Sequence, residues 1–284
     1  MATTISLLNM KGGVGKTTLA VNLAWHMYHN EGKNILLVDL DPQFNATQYV
    51  MDFDAFDKHR KAHGTIANLL IDQPELHVQQ QKRAKKDPSA TLHTIEKTPA
   101  KRFDLLPAEL ALGWVVKNPA QMDYRLEKLL SSIRDKYDYV FIDCAPTDSV
   151  LTTMALTCSD FVMVPVRPDR FSILGFVNVM NTIDDFRANC NDPHKVKTLG
   201  VVFTQVMGTS GVETDCMVQV KKTAHSQKGY VFTASLDYSQ SFIRSVQNQT
   251  PIFNTAYAQA GPRSAVATIA TEMNARITQI ATTT

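Results

Sequence analysis

The sequence predicts an α/β fold, a twisted and mainly parallel β-sheet with helices on both faces. Short apolar runs such as Ile35-Leu36-Leu37-Val38 and Phe161-Val162-Met163-Val164 have the length of strands buried on both sides. Longer runs with apolar residues at helical spacing alternate with them, the rhythm of βαβ units. Glycine-rich and acidic stretches follow the apolar runs directly, at the strand ends where open α/β sheets bind ligands.

A chain of 284 residues exceeds the usual size of one domain, yet α/β folds of this size often form one core, and a single domain over residues 1–284 is expected. Hydrophobic residues at 44% and charged residues at 20% describe a globular protein rather than a disordered one. No apolar run approaches the roughly 20 residues that span a bilayer. The N-terminus also lacks a signal-peptide pattern, so the expected setting is cytosolic. Cys144, Cys158, Cys190 and Cys216 show no C-x-x-C spacing, which predicts reduced, packed thiols and no metal or redox framework.

The first strand is expected at Ile5–Leu8, and a helix follows from Leu19 to His29, with Leu19, Leu23 and Met27 on one stripe and Gly32 past its end. Between them lies Asn9-Met10-Lys11-Gly12-Gly13-Val14-Gly15-Lys16-Thr17-Thr18. Three glycines within four positions let backbone N–H groups turn inward around an anion, and the helix N-terminus adds its partial positive charge at the same spot. In such a phosphate cradle Lys16 reaches the β- and γ-phosphates of a nucleotide, and the Thr17 hydroxyl is the natural ligand of its magnesium ion.

The second strand, Ile35–Val38, runs into Asp39-Leu40-Asp41-Pro42-Gln43-Phe44-Asn45. Two carboxylates at that strand end, with the glycine loop upstream, point to function rather than to turn formation. Residues 57–102 carry ten Lys/Arg against five Asp/Glu, +5, while the remainder of the +2 chain carries −3. Within them Thr65–Leu70 reads as a short helix, and residues from about 77 to 100 as a basic surface insertion containing Lys82, Arg83, Lys85 and Lys86. That insertion reads either as a solvated loop or as a contact to nucleic acid or a partner. His59 and His63 lack a ligand set around them and read as solvated.

Phe103–Pro107 reads as a strand with its exit loop, followed by a helix with Leu126, Leu129, Leu130 and Ile133 on one stripe. Tyr137–Pro146 is a buried strand ending in Asp143, the position from which a carboxylate holds a nucleotide's magnesium through a water. Cys144 reads as packed, since no histidine follows nearby to activate it. Phe161–Val166 and Leu199–Gln205 are further strands, separated by a helix through Ile173, Phe176, Val177, Met180 and Ile183. Val212–Ala224 reads as a helix and Tyr230–Phe232 as a strand. A final helix from Gly261 carries Val266, Ile269, Met273, Ile277 and Ile280 as a core stripe.

The order of these features, K-G-G-x-G-K-T-T, D-x-D-P-Q, an acidic strand end, V-P-V-x-P and a late proline loop, resembles the ParA/MinD family of deviant Walker A ATPases, closest to its Soj-like partition members. The ordinary Walker A glycine would stand at position 10, where this chain has Met10, and the second lysine is Lys11. The resemblance implies a P-loop NTPase fold that hydrolyses ATP with Mg2+. In it Lys16, Lys11, Asp41 and Asp39 are catalytic, Asp41 orienting the attacking water. Lys11 to Thr18 hold the phosphates, and Thr17, Asp143 and Asp39 serve the metal. It further implies adenine contacts at Gln205, Pro251 and Phe253, and a face-to-face ATP dimer in which Lys11 reaches the partner's nucleotide.

For the ParA-type members it implies nonspecific DNA binding, release when a ParB-like partner stimulates hydrolysis, and association with the nucleoid. Two sets of basic residues compete for the DNA, Lys221, Lys222 and Arg244 against the 82–86 cluster. Two departures stand out: Phe44 replaces the family's usual glycine after D-x-D-P-Q, and residues 235–244 lack the first arginine of the expected I-P-R-N-V-R-like run. The rival MinD-like reading needs a membrane-binding terminal helix, but here the last helix offers only Arg263 and Arg276 as cations and no bulky aromatics, so no membrane is expected. A third reading keeps the same switch and positions another cellular cargo.

Overall fold

Among the described residues, eight strands form one sheet in the order β3-β4-β2-β5-β1-β6-β7-β8. They are β1 (Thr3–Leu7), β2 (Ile35–Leu40), β3 (His93–Lys97), β4 (Arg102–Leu106), β5 (Tyr139–Cys144), β6 (Phe161–Val166), β7 (Lys197–Val206) and β8 (Leu236–Asp237). All neighbours are parallel except β3 and β4. The computed structural model describes residues 2–71, 87–120, 122–190, 196–208, 210–227, 229–256 and 258–282.

Alternation along each strand divides the core into two layers. On β2, Leu36, Val38 and Leu40 enter one layer and Ile35 and Leu37 the other. The second layer is covered by α1 (Lys16–His29), α2 (Asn45–Val50), α3 (Phe53–His63) and, late in the chain, α11 (Gln240–Gln247) and α12 (Ala260–Thr282). The first is covered by α4 (Ile66–Leu70), α6 (Gly113–Lys117), α7 (Arg125–Ser131), α8 (Val150–Cys158), α9 (Ser172–Asn189) and α10 (Gly211–Ser226), while the four-residue α5 (Pro88–Thr91) leads into β3. On α12, Val266, Ile269 and Met273 are fully buried, with Ile277 and Ile280 packed beside them, so the terminal stripe is spent on the core. No described helix is long and apolar enough to cross a membrane.

The structure differs from the sequence expectations in four places. The 77–100 stretch is not all insertion: residues 93–97 form the antiparallel edge strand β3, and Thr94 Oγ1 donates to the buried Asp104 on β4 (2.8 Å). The cluster Lys82, Arg83, Lys85 and Lys86 lies outside the described residues. Tyr230–Phe232 is no strand. Only Val231 bridges to Val201, and the sheet edge is completed by Leu236 and Asp237 instead. His59 is buried rather than solvated, its Nε2 3.0 Å from the Thr91 carbonyl oxygen, with the His63 and His93 rings about it at 5.0 and 5.4 Å. Helix α3 is an addition to the expected elements, although its ends carry local signals. Asp52 caps it by accepting from Ala55 N (2.7 Å), Arg60 and Lys61 sit in its last turn, and Gly64 follows.

Candidate active site

Parallel register places the site. Asp39 on β2 and Leu7 on β1 both stand opposite Asp143 on β5, so the two acids and the mouth of the glycine loop share one level at the carboxyl end of the sheet. Beyond Leu7, Leu8 N still donates to Met163 O (3.0 Å). Asn9 then fixes the loop's entry, donating from Nδ2 to Pro165 O (2.7 Å) and accepting from Lys11 N at Oδ1 (2.9 Å).

Gly13 and Gly15 have φ of 70° and 79°, a left-handed backbone that a side chain disfavours. Gly12 and Gly13 are exposed, and a Cβ on either would meet nothing within 4 Å. Gly15 is the N-cap of α1, with no side-chain cap and no acid in the first turn, which leaves the helix's N–H groups free for an anion. Lys16 is buried, and its Nζ donates to the loop's own carbonyls, Asn9 O at 3.0 Å and Lys11 O at 3.1 Å. Burial lowers its pKa, against the pull of Asp143, Cys144 and Asp41.

The acids are equally specific. Thr17 Oγ1 donates to Asp143 Oδ2 (2.6 Å), while Asp143 Oδ1 is buried without a hydrogen-bond partner. Asp39 Oδ2 accepts from Thr47 N and Thr47 Oγ1 (2.7 Å each), and Oδ1 accepts from Asp41 N (3.2 Å), so this carboxylate caps α2. Asp41 Oδ1 accepts from Gln43 N (2.8 Å). Burial raises the pKa of both Asp39 and Asp143; the charge of Asp143 adds to it at Asp39, while Thr17 and Lys16 pull back at Asp143.

A buried, half-satisfied carboxylate beside a threonine hydroxyl suits a hard cation with oxygen ligands. Thr17 and Asp143 are therefore the pair that fits a magnesium ion, whereas Asp39 is already occupied as a helix cap. The described residues hold no group of three or more His, Cys, Asp or Glu that could cage a metal by themselves. A cation at Asp143 would complete its shell from a ligand and water, as magnesium on nucleotides does.

Lys11 is ion-paired to Asp169 in the loop after β6, with the Phe171 ring 5.9 Å away. Phe44 has φ 43° at the N-cap of α2, the left-handed conformation that explains why a glycine is usual there. Its strain, about 1 kcal/mol, is offset by stacking on Phe56 at 5.3 Å. Gln205, also left-handed at φ 53°, donates from Nε2 to Gly13 O (2.7 Å).

A cleft of about 210 Å³ runs from Gly15 and Thr18 past Gln205 to Tyr238, Phe242 and Ile243. Pro251 and Phe253 do not line it. Their loop packs on α1, where Ile252 N donates to Asn22 Oδ1 (2.8 Å) and the Phe253 ring lies 5.5 Å from His26.

Lys221, Lys222 and Arg244 are exposed, and they sit on helices that cover opposite faces of the sheet. Val220 and Ala224 seat α10 in one core layer, and Phe242 seats α11 against the other. Asn9, Thr47, Asp169 and Thr204 make hydrogen bonds at the site that the sequence reading did not anticipate, because these partners lie 8 to 190 residues away along the chain.

Comparison with known proteins agrees with this geometry. The AAA domain family matches residues 2–196. The chromosome partitioning protein ParA of Caulobacter vibrioides is 31% identical over 205 residues, 70% of this chain and 68% of that protein. The sporulation initiation inhibitor protein Soj of Bacillus subtilis is 29% identical over 225 residues, 78% of this chain and 80% of Soj. In fold, a plasmid partition protein of Borrelia burgdorferi bound to AMPPNP superposes with TM-score 0.71 at 19% identity, covering 98% of this chain and 99% of that one. The glycine loop with its second lysine, the acids level with it at the sheet's carboxyl end and these relatives converge: the chain belongs to the AAA domain family and, within it, to the ParA-type partition ATPases of the ParA/MinD family.

Proposed function

We propose that the chain hydrolyses ATP with magnesium as a switch rather than as a metabolic step. Two ATP-bound copies dimerise face to face and bind DNA without sequence preference. A ParB-like partner stimulates hydrolysis and releases them, in the cytoplasm and on the nucleoid. The observation that carries this reading is Asp143, a buried carboxylate with one free oxygen, bonded to Thr17 and level with an uncapped glycine loop.

In this reading the N–H groups of Gly12 to Thr18 bind the phosphates, and Lys16 exchanges the carbonyls of Asn9 and Lys11 for β- and γ-oxygens. Magnesium, when bound, would neutralise charge on those oxygens. Thr17 and Asp143 would hold it, Asp143 through water, and a cation beside Asp143 would favour its ionised form. Asp39 fixes the N-terminal turn of α2 and with it the Asp41 loop, and Asp41 orients the attacking water. The cleft beside Gly15 and Thr18 receives the base, with Phe242 and Ile243 in the part expected of Pro251 and Phe253.

Lys11 would leave Asp169 to reach the second subunit's phosphates. The basic residues Lys221, Lys222 and Arg244, with the 82–86 cluster, supply phosphate contacts that the dimer doubles. Lys11→Ala tests the switch. It should keep ATP affinity within a few-fold yet show no ATP-dependent dimer by light scattering with a slowly hydrolysed analogue. A full ATP-dependent dimer in that variant would sink the trans role.

A further inference from the structure

We propose that the carboxyl end of β7 is a clamp that sets the shape of the phosphate cradle, with Gln205 and Thr204 as positioning residues for the glycine loop. This rests on the nucleotide reading above and assigns Gln205 a task other than contact with the base.

Thr204 Oγ1 donates to Val14 O (2.7 Å), and Gln205 Nε2 donates to Gly13 O (2.7 Å). Two successive carbonyls of the loop, some 190 residues away in the chain, are thus tied outward by adjacent residues of one strand end. A peptide unit whose carbonyl is held on one side presents the following N–H on the other. Tying Gly13 O and Val14 O therefore turns the N–H groups of Val14 and Gly15 toward the anion position. A loop with glycines at 12, 13 and 15 has much backbone freedom to lose on binding, and preorganising it saves that entropy.

The clamp is itself braced. Two successive side chains of an ideal strand point to opposite faces, so Thr204 and Gln205 could not both reach the loop from a regular strand. Gln205 is instead left-handed at φ 53°, a strained conformation that persists where its surroundings over-determine it. Four hydrogen bonds around it do so. Met207 N and Gly208 N donate to the buried Glu213 carboxylate (2.7 Å each), Ser210 Oγ accepts from Glu213 N (3.2 Å), and Tyr238 N donates to Val206 O (2.9 Å). The start of α10 thus holds the turn in which Gln205 sits.

The test uses Gln205→Ala, Gln205→Asn and Thr204→Val in the full chain. Asparagine accepts the left-handed backbone readily but is one methylene too short to reach Gly13 O. Two measurements are made: amide hydrogen exchange of the Asn9–Lys16 peptide without nucleotide, and equilibrium binding of ATP and GTP with magnesium. The clamp predicts that in all three variants the Lys11 amide of that peptide, bonded to Asn9 Oδ1 only while the loop keeps its shape, exchanges about tenfold faster, with the melting temperature within about 3 °C of the parent. It also predicts that ATP and GTP weaken by the same factor, about tenfold.

Wild-type exchange and affinity in Gln205→Asn would overturn it, as would a Gln205→Ala variant that loses ATP while sparing GTP, the signature of a base contact. Faster exchange in the variants of a chain that binds neither nucleotide would leave the clamp standing and refute the nucleotide reading instead.

Discussion

The middle of the sheet and its β7–β8 edge are built from the same kinds of residue but organised differently. At β1, β2 and β5 each functional group sits on or directly after its own strand, and the neighbours it needs come from parallel register, as Asp39 meets Asp143. At the edge, β8 is only two residues long, Gln205 is left-handed, and the turn around it is held by the Glu213 side chain of α10 and by the Tyr238 backbone N–H beyond it. The centre is therefore a platform whose groups are local in sequence, set side by side by parallel register. The edge is assembled from distant segments and touches the platform through Thr204 and Gln205. Substitutions at the centre should abolish function outright, and those at the edge should grade it.

The largest effect is expected at Lys16. Lys16→Ala removes an ammonium that makes two hydrogen bonds even without ligand, and charged hydrogen bonds contribute about 1.5–3 kcal/mol each, so ATP affinity should fall at least about 100-fold. Equilibrium binding of labelled ATP decides it, and survival within a few-fold would make the centre no different from the edge. Next is Asp41→Ala, which should bind ATP and dimerise yet turn over about 100-fold more slowly, on the scale of a lost positioned proton acceptor. Normal steady-state hydrolysis in purified variant would remove Asp41 from the chemistry.

A smaller effect sharpens the electrostatics of the centre. Burial holds the Asp39 and Asp143 protons more tightly in the folded chain, so their contribution to stability falls as pH rises from about 4 through neutrality. Buried His26 and half-buried His93, whose pKa values are lowered by desolvation, act in the opposite direction, their contribution to stability being lost as pH falls below about 6.5. The Asp39→Asn variant separates the two: its melting temperature should rise relative to the parent as pH goes from 5 to 8, by an amount worth about 1 kcal/mol. Magnesium with nucleotide should flatten the parent's profile, and a constant offset between the two proteins across that range would refute the assignment.

The smallest effects are expected at the edge. Because α10 and α11 cover opposite faces of the sheet, reversing Lys221 and Lys222 together, and Arg244 separately, should each lower the slope of log affinity for random duplex DNA against log salt, by about 0.9 for every phosphate that is no longer neutralised. The two reductions should add, since the helices that carry the sets cover opposite faces of the sheet. If neither of these, nor reversal of Lys82, Arg83, Lys85 and Lys86, changes the slope, or if no duplex is bound with ATP at about 50 mM salt, where such contacts are strong, DNA is not the cargo track and a positioning ATPase for another cargo becomes the better reading.

The sequence by itself determined the strands of the middle, the glycine loop between strand and helix, and the acids at 39, 41 and 143 at or just beyond the strand ends. Each of these is a local pattern: an apolar run of strand length, glycines where the backbone must be left-handed, a carboxylate where a strand ends. Phe44, standing where the resembled family has a glycine, marked a position whose left-handed backbone the structure then showed. Only the tertiary structure decided that Asp39 caps α2, that Lys11 rests on Asp169, that Gln205 bonds Gly13 O while the Pro251–Phe253 loop packs on α1, and that the C-terminal basic residues sit on helices covering opposite faces of the sheet. Those outcomes depend on which strand lies beside which and in what register. A hydrogen bond between residues 190 apart is specified by the packing of the whole sheet and leaves no periodicity at either end.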